Sequence, residues 1–136
     1  MSPRKSCGSY NLCPPPLEEG TPCWKSIRST LELPDEVSLE LLAQAFCHTS
    51  YARENNLPQS SSNQRLEFLG DAVLDLILAE YLFIAHPEVL EGRLTKMKAG
   101  AVRAHSLAKI SQQVNLGQYM LLGHGEEETG GRNKPS

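Results

Sequence analysis

Glu67, Asp71 and Asp75 stand four residues apart within NQRLEFLGDAVLDLILAEYLF, residues 63–83. On an α-helix, steps of three or four residues turn the chain by only about −60° or +40°, so these acids and Gln64 lie one above another as a polar stripe. Apolar residues flank the stripe, Phe68 and Ala72 on one side, Leu74 and Leu78 on the other. Carboxylates at this spacing repel by a few tenths of a kcal/mol even on an exposed helix. In a half-buried groove the penalty grows, and such a group takes up a proton sooner than stay charged. A bound divalent cation removes the conflict, because a hard ion such as Mg²⁺ takes carboxylate oxygens and keeps part of its water shell. The stripe has a plainer explanation as well, a helix edge at the solvent boundary whose acids are simply hydrated. Spacing alone leaves both open.

The helix that carries the stripe must itself be held. Leu66, Leu69, Val73, Leu76, Ile77, Glu80 and Ile84 fall on one side of it, nearly all apolar, and this side is the expected core face. Gly70 in mid-helix costs about 1 kcal/mol relative to Ala, which points to another helix approaching closely. Asn63, or a serine just before it, is the expected cap, and His86-Pro87 the expected stop. Upstream, Trp24, Ile27 and Leu31 repeat at helical spacing and Pro34 closes that segment. Ser38 is a plausible N-cap for a helix with Leu39, Leu42, Ala45 and Phe46 inward. Downstream, a helix over 104–114 places Leu107, Ile110 and Val114 for burial, and residues 116–122 form a short apolar segment.

The run NQRLEFLGDAVL closely resembles the signature helix of the ribonuclease III family, NERLEFLGDAVL, in eleven of twelve positions. Three further segments resemble that family. They are AFCHTSYARE, which carries His48, Ser50, Tyr51 and Glu54; EGRLTKMKAGAV, from Glu91; and LLGHGEEETGGR, from Leu121 to Arg132. The resemblance implies an all-α endonuclease domain that hydrolyses phosphodiesters of double-stranded RNA, ribosomal RNA precursors among them, with Mg²⁺ or Mn²⁺. It implies a homodimer in which each subunit cuts one strand. Glu67 and Asp71 match the family's metal-binding acids, and Glu91 matches an acid near the metal cluster; Glu67, Asp71 and Glu91 are therefore the expected catalytic residues. Glu91 is equally well explained as an acid favoured by a helix N-terminus. Gln64 replaces a usual acid and is expected to modulate the site at most.

The resemblance covers about residues 24–136. Residues 1–22, with Pro14 to Pro16 in a row, read as a disordered tail, and 23–136 as a partial catalytic domain. In the family, the glycine-rich loop leads into a helix with two more metal-binding acids, and the sequence stops at Ser136 before it. Residues 1–136 alone are thus expected to be impaired or inactive. The competing class is a non-catalytic RNA-binding or dimerisation module with the same fold.

Composition narrows the remaining choices. The chain has 136 residues, 40% hydrophobic and 21% charged, with a net charge of −3 and a pI near 5.8. No overall basic field advertises nucleic acid. The most basic region holds Arg93, Lys96, Lys98, Arg103 and Lys109, either a solvated face or a set of phosphate contacts. No apolar run reaches the roughly 20 residues that span a bilayer, no signal peptide is visible, and cytoplasm is the default. The four cysteines lack C-x-x-C spacing, which argues for reduced thiols rather than zinc. His48 beside an apolar helix reads as a hydrogen-bonded structural residue. Gly123, Gly125, Gly130 and Gly131 sit among three acids, which argues against a nucleotide cofactor.

Overall fold

A computed structural model describes residues 22–133, so the expected tail over 1–22 lies almost wholly outside the described residues. Within them the chain is helical and has no strand; seven α-helices are joined by short turns, with single 3₁₀ turns between some of them. They are α1 (Trp24–Thr30), α2 (Leu39–Ala45), α3 (Thr49–Glu54), α4 (Gln64–Ala85), α5 (Glu91–Ala101), α6 (Ala104–Gln113) and α7 (His124–Glu128).

The core belongs to the short helices. Trp24 and Ile27 of α1, Leu42 and Ala43 of α2, Phe46, Cys47, Ala52 of α3 and Leu121 are buried together. Trp24 stacks on Phe46 with ring centroids 6.0 Å apart, and Tyr119 meets Phe46 edge-on at 5.9 Å. The expected cap of α2 is present: Ser38 Oγ accepts from the Leu41 N–H at 3.1 Å. Ala45, expected inward, is exposed, and Gln44 is buried in its place. Its amide Nε2 donates to Ser60 O and Ser62 O, so the burial of a polar side chain is offset by pinning the turn ahead of α4.

The last part of the chain returns to this body. A 3₁₀ turn, Leu116–Tyr119, precedes Leu121, whose backbone forms an isolated parallel bridge with Cys47. Arg132 then locks the segment: its guanidinium donates to Gly117 O, Gln118 O and Met120 O and pairs with Glu127.

The arm, α4 to α6, is different. The five residues after α4 turn the chain back, and α5 packs beside it. The expected core face of α4 is not covered. Leu69 is 59% exposed, Val73 48%, Leu76 69%, Ile77 55% and Ile84 70%, while Leu66 is half-buried. The side turned to neighbouring helices instead carries Leu74 and Leu78, half-buried, and Leu82, buried. Apolar residues occupy almost every side of this helix, so no single stripe dictates which one meets α5. Gly70 has nothing within 4 Å of an added Cβ, and no helix approaches it among the described residues. The cap expected from Asn63 is positional only, since no side chain bonds the first N–H groups. In α6, Ile110 is exposed rather than buried, as is Val114 just after it, and Leu107 is half-buried.

Candidate metal centre on α4

Helix α4 runs unbroken for 22 residues, and this regularity sets Glu67 and Asp71 one turn apart on the same side. Both are exposed, so the apolar groove inferred from their neighbours is not closed around them by the described residues; Phe68, beside them, is 82% exposed. Neither acid enters an ion pair or a side-chain hydrogen bond given for the described residues. Asp75 does: Lys98 Nζ of α5 lies 3.3 Å from its Oδ2. Gln64, at the upper end of the stripe, is 3.4 Å from Gln59 through its Oε1.

The donor set fits a hard divalent cation. Two carboxylates one turn apart face water, and Mg²⁺ is commonly held by one or two carboxylates with water filling its other positions. Among the described residues no three His, Cys, Asp or Glu side chains gather into a metal cluster. Glu91 therefore does not join Glu67 and Asp71. It opens α5, where its carboxylate accepts from Thr95 Oγ1 at 3.1 Å. Because α5 runs back along α4 and Lys98 meets Asp75, Glu91 lies toward the far end of α4. Helix rise puts it roughly 16 Å along the axis from Asp71.

The other motif residues gather on α3, away from the acids. His48 caps α3, accepting the Ser50 N–H on Nδ1 at 3.2 Å; the same nitrogen lies 2.7 Å from Ser50 Oγ. Ser50 Oγ accepts the Gly123 N–H at 2.9 Å, and the Glu54 carboxylate accepts the N–H groups of His124 at 2.7 Å and Gly125 at 3.4 Å. A Cβ at Gly123 would fall 2.5 Å from Glu54 Oε1 and 3.0 Å from the Ser50 carbonyl carbon, so a larger residue here would push aside the carboxylate that holds the loop. His48 is structural, as expected. The glycine-rich loop is a docking segment that, unlike the plain loop expected from the sequence, contains the short helix α7. A cavity of about 450 Å³, lined in part by Phe46, His48, Met120 and Arg132, lies under this segment and includes none of the α4 acids. Cys23 and Cys47 are unpaired, and burial pushes the Cys47 thiol up to about 11, which leaves it protonated and unreactive near neutral pH.

Residues 38–136 match the family model for ribonuclease-III-like domains, a stretch that includes α2 to α7 and all three candidate acids. The chain belongs to the ribonuclease III family. Ribonuclease 3 of Enterococcus faecalis is 52% identical over 98 residues, which are 72% of this chain and 43% of that protein. Ribonuclease 3 of Listeria monocytogenes is 42% identical over 113 residues, 83% of this chain and 49% of that one. The chain thus spans less than half the length of these ribonuclease III relatives. Among solved structures, a nuclease domain of ribonuclease III from Campylobacter jejuni superposes with a TM-score of 0.71 at 40% identity. The match covers 82% of this chain and 73% of that domain. That structure is described for flexibility in a region involved in dimer formation of its nuclease domain. The all-α ribonuclease III fold read from the motifs is therefore borne out. Reading the motifs did not find Lys98 as the partner of Asp75, or Arg132 as the clamp of the last segment. The only trace of Arg132 was its place in the G-G-R run.

Proposed function

We propose that this domain serves a metal-dependent endoribonuclease of the ribonuclease III type that hydrolyses phosphodiesters of double-stranded RNA, including ribosomal RNA precursors, in the cytoplasm. The observation that carries this reading is the Glu67–Asp71 pair, one turn apart, exposed and free of counter-ions, within a region that matches the family over 99 residues. Glu67 and Asp71 would hold Mg²⁺, or Mn²⁺ in its place. When bound, the ion supplies the positive charge that phosphodiester hydrolysis needs at the reacting phosphate. The two carboxylates would place the ion on one side of a regular helix without fixing it tightly, and Glu91 would act from behind the direct ligands or from the substrate side. Arg93, Lys96, Arg103 and Lys109 offer charge for RNA phosphates, and duplex RNA is read by shape and 2′-OH groups rather than by sequence.

The partner that completes the assembly is a second copy of the chain, docked on α4. Phe68, Leu76, Phe83 and Ile84 are 69–82% exposed there, and large apolar side chains exposed along one helix favour a protein partner. The dimer-forming region described for the Campylobacter jejuni domain supports this choice of partner.

Thermal stability measured with and without Mg²⁺ tests the site. The melting temperature is expected to rise with added Mg²⁺ by binding linkage, and the rise to vanish in a Glu67→Gln, Asp71→Asn double variant. An equal rise in both proteins would place the ions elsewhere. Cleavage of long duplex RNA tests the activity. Two carboxylates hold Mg²⁺ loosely, and hydrolysis needs the ion fixed to a fraction of an ångström, so residues 1–136 alone are expected to cut little or not at all. Discrete 5′-phosphorylated products, abolished by Asp71→Asn, would overturn that expectation. The exposed apolar face of α4 also favours a second reading, a dimerisation module without chemistry. Dimers that show no response to Mg²⁺ would select it.

A further inference from the structure

Helix spacing alone does not say where on α4 a cation sits. Glu67 with Asp71 and Asp71 with Asp75 are two pairs of the same spacing, on the same side of one regular helix, and an ion has equal geometric reason to choose either. At the upper end the stripe is terminated by chemistry, since Gln64 is an amide that neutralises no charge. At the lower end it is terminated by α5, whose Lys98 ammonium lies 3.3 Å from Asp75 Oδ2.

We propose that Lys98 sets the position of the cation on the acid stripe, by holding Asp75 and leaving Glu67 and Asp71 as the free pair. This rests on the metal-binding reading given above and adds a specificity-determining residue to it. The physical reason is competition. An ion between Asp71 and Asp75 would have to evict Lys98 or bear its repulsion, whereas an ion between Glu67 and Asp71 lies a turn further away. The pair is partly sheltered, with side chains 32% and 50% exposed, so water screens this competition less than on an open surface. Leu74 and Leu78 are half-buried on α4, which packs along α5, and the packing brings Lys98 to Asp75 rather than to the acids above it.

Mn²⁺ is the probe, because it broadens the amide resonances nearest to it even when binding is weak. In the full chain, titrated with Mn²⁺, broadening is expected to centre on residues 67–71. In Lys98→Met it should spread by one helical turn to 71–75. Mn²⁺ binding in Lys98→Met should also survive Glu67→Gln, with an apparent affinity at least threefold above that of Glu67→Gln alone. Adding Asp75→Asn to Lys98→Met should return the centre to 67–71. Lys98→Arg, which keeps the charge, should leave the wild-type pattern. Unchanged broadening in Lys98→Met, in a protein whose remaining amide spectrum is intact, would overturn the proposal. Absence of any broadening on α4 in the wild type would instead sink the metal-binding reading on which it stands. The two failures are therefore distinguishable.

Discussion

Two helices of this chain show how far an apolar sequence determines its own burial. In α1, Trp24 and Ile27 share one side, the opposite side is polar, and both residues are buried against α2 and Phe46. In α4, apolar side chains encircle the helix, and of its large apolar residues only Leu82 is buried. A one-sided helix finds cover within its own small body. A helix apolar all round needs neighbours on several sides, and among the described residues α4 has chiefly α5. The body is thus held by packing within the chain, and the arm presents a surface that the described residues leave uncovered.

The sharpest way to break this contrast is to cut the same kind of side chain from each region. Trp24→Ala or Phe46→Ala should cost about 3–5 kcal/mol of unfolding free energy, read from the denaturant midpoint. Leu69→Ala or Leu76→Ala, in protein dilute enough to be monomeric, should cost under about 1 kcal/mol, because little contact is lost. A large loss at Leu69 in the monomer would mean that α4 is covered after all. The second test raises concentration. Phe68→Glu or Leu76→Glu should weaken self-association in sedimentation equilibrium by tenfold or more, while leaving the melting temperature of the dilute monomer nearly unchanged. Dimers of undiminished strength would move the interface off α4.

Smaller effects sharpen the body itself. Arg132→Ala removes a donor shared by three carbonyls and a carboxylate, and should cost roughly 1–3 kcal/mol. Hydrogen exchange should speed up over residues 116–132 before it does so in α1. The smallest effect lies at alkaline pH. The Cys47 thiol titrates at 9.0 in the ordinary case and at about 11 in the fold. The folded value is the higher one, so its contribution is fully present below pH 9 and is lost as pH climbs toward 11. Cys47→Ala should flatten that part of the stability profile, and an unaltered slope would assign the loss to other groups.

Much of the local structure was legible because it depends on neighbours in sequence. Ser38 caps α2, Pro87 stops α4 one residue after His86, and Glu91 opens α5. The membership of the family was legible from the same short-range words. The buried side of α4 was not, since Leu69, Val73 and Ile77 are as apolar as Leu74, Leu78 and Leu82, and only the position of α5 chooses between the two sets. Gly70 suggests a close neighbour that the described residues do not supply. For the candidate site, Glu67 and Asp71 could be picked by type and spacing. Their separation from Glu91 and the capture of Asp75 by Lys98 could not, because both follow from how α5 returns along α4.

The grip of α3 on the glycine loop gives the chain the topology of a closed ring. Ser50 and Glu54 hold amides that lie seventy or more residues further along, and the Cys47–Leu121 bridge draws the same ends together. Everything from α4 to α6 is, in polymer terms, one long excursion between two fixed points. The entropy lost in closing such an excursion rises only logarithmically with its length, by about 0.6 kcal/mol for each doubling. Lengthening or shortening the arm by a helical turn therefore changes that closing cost by a small fraction of a kcal/mol.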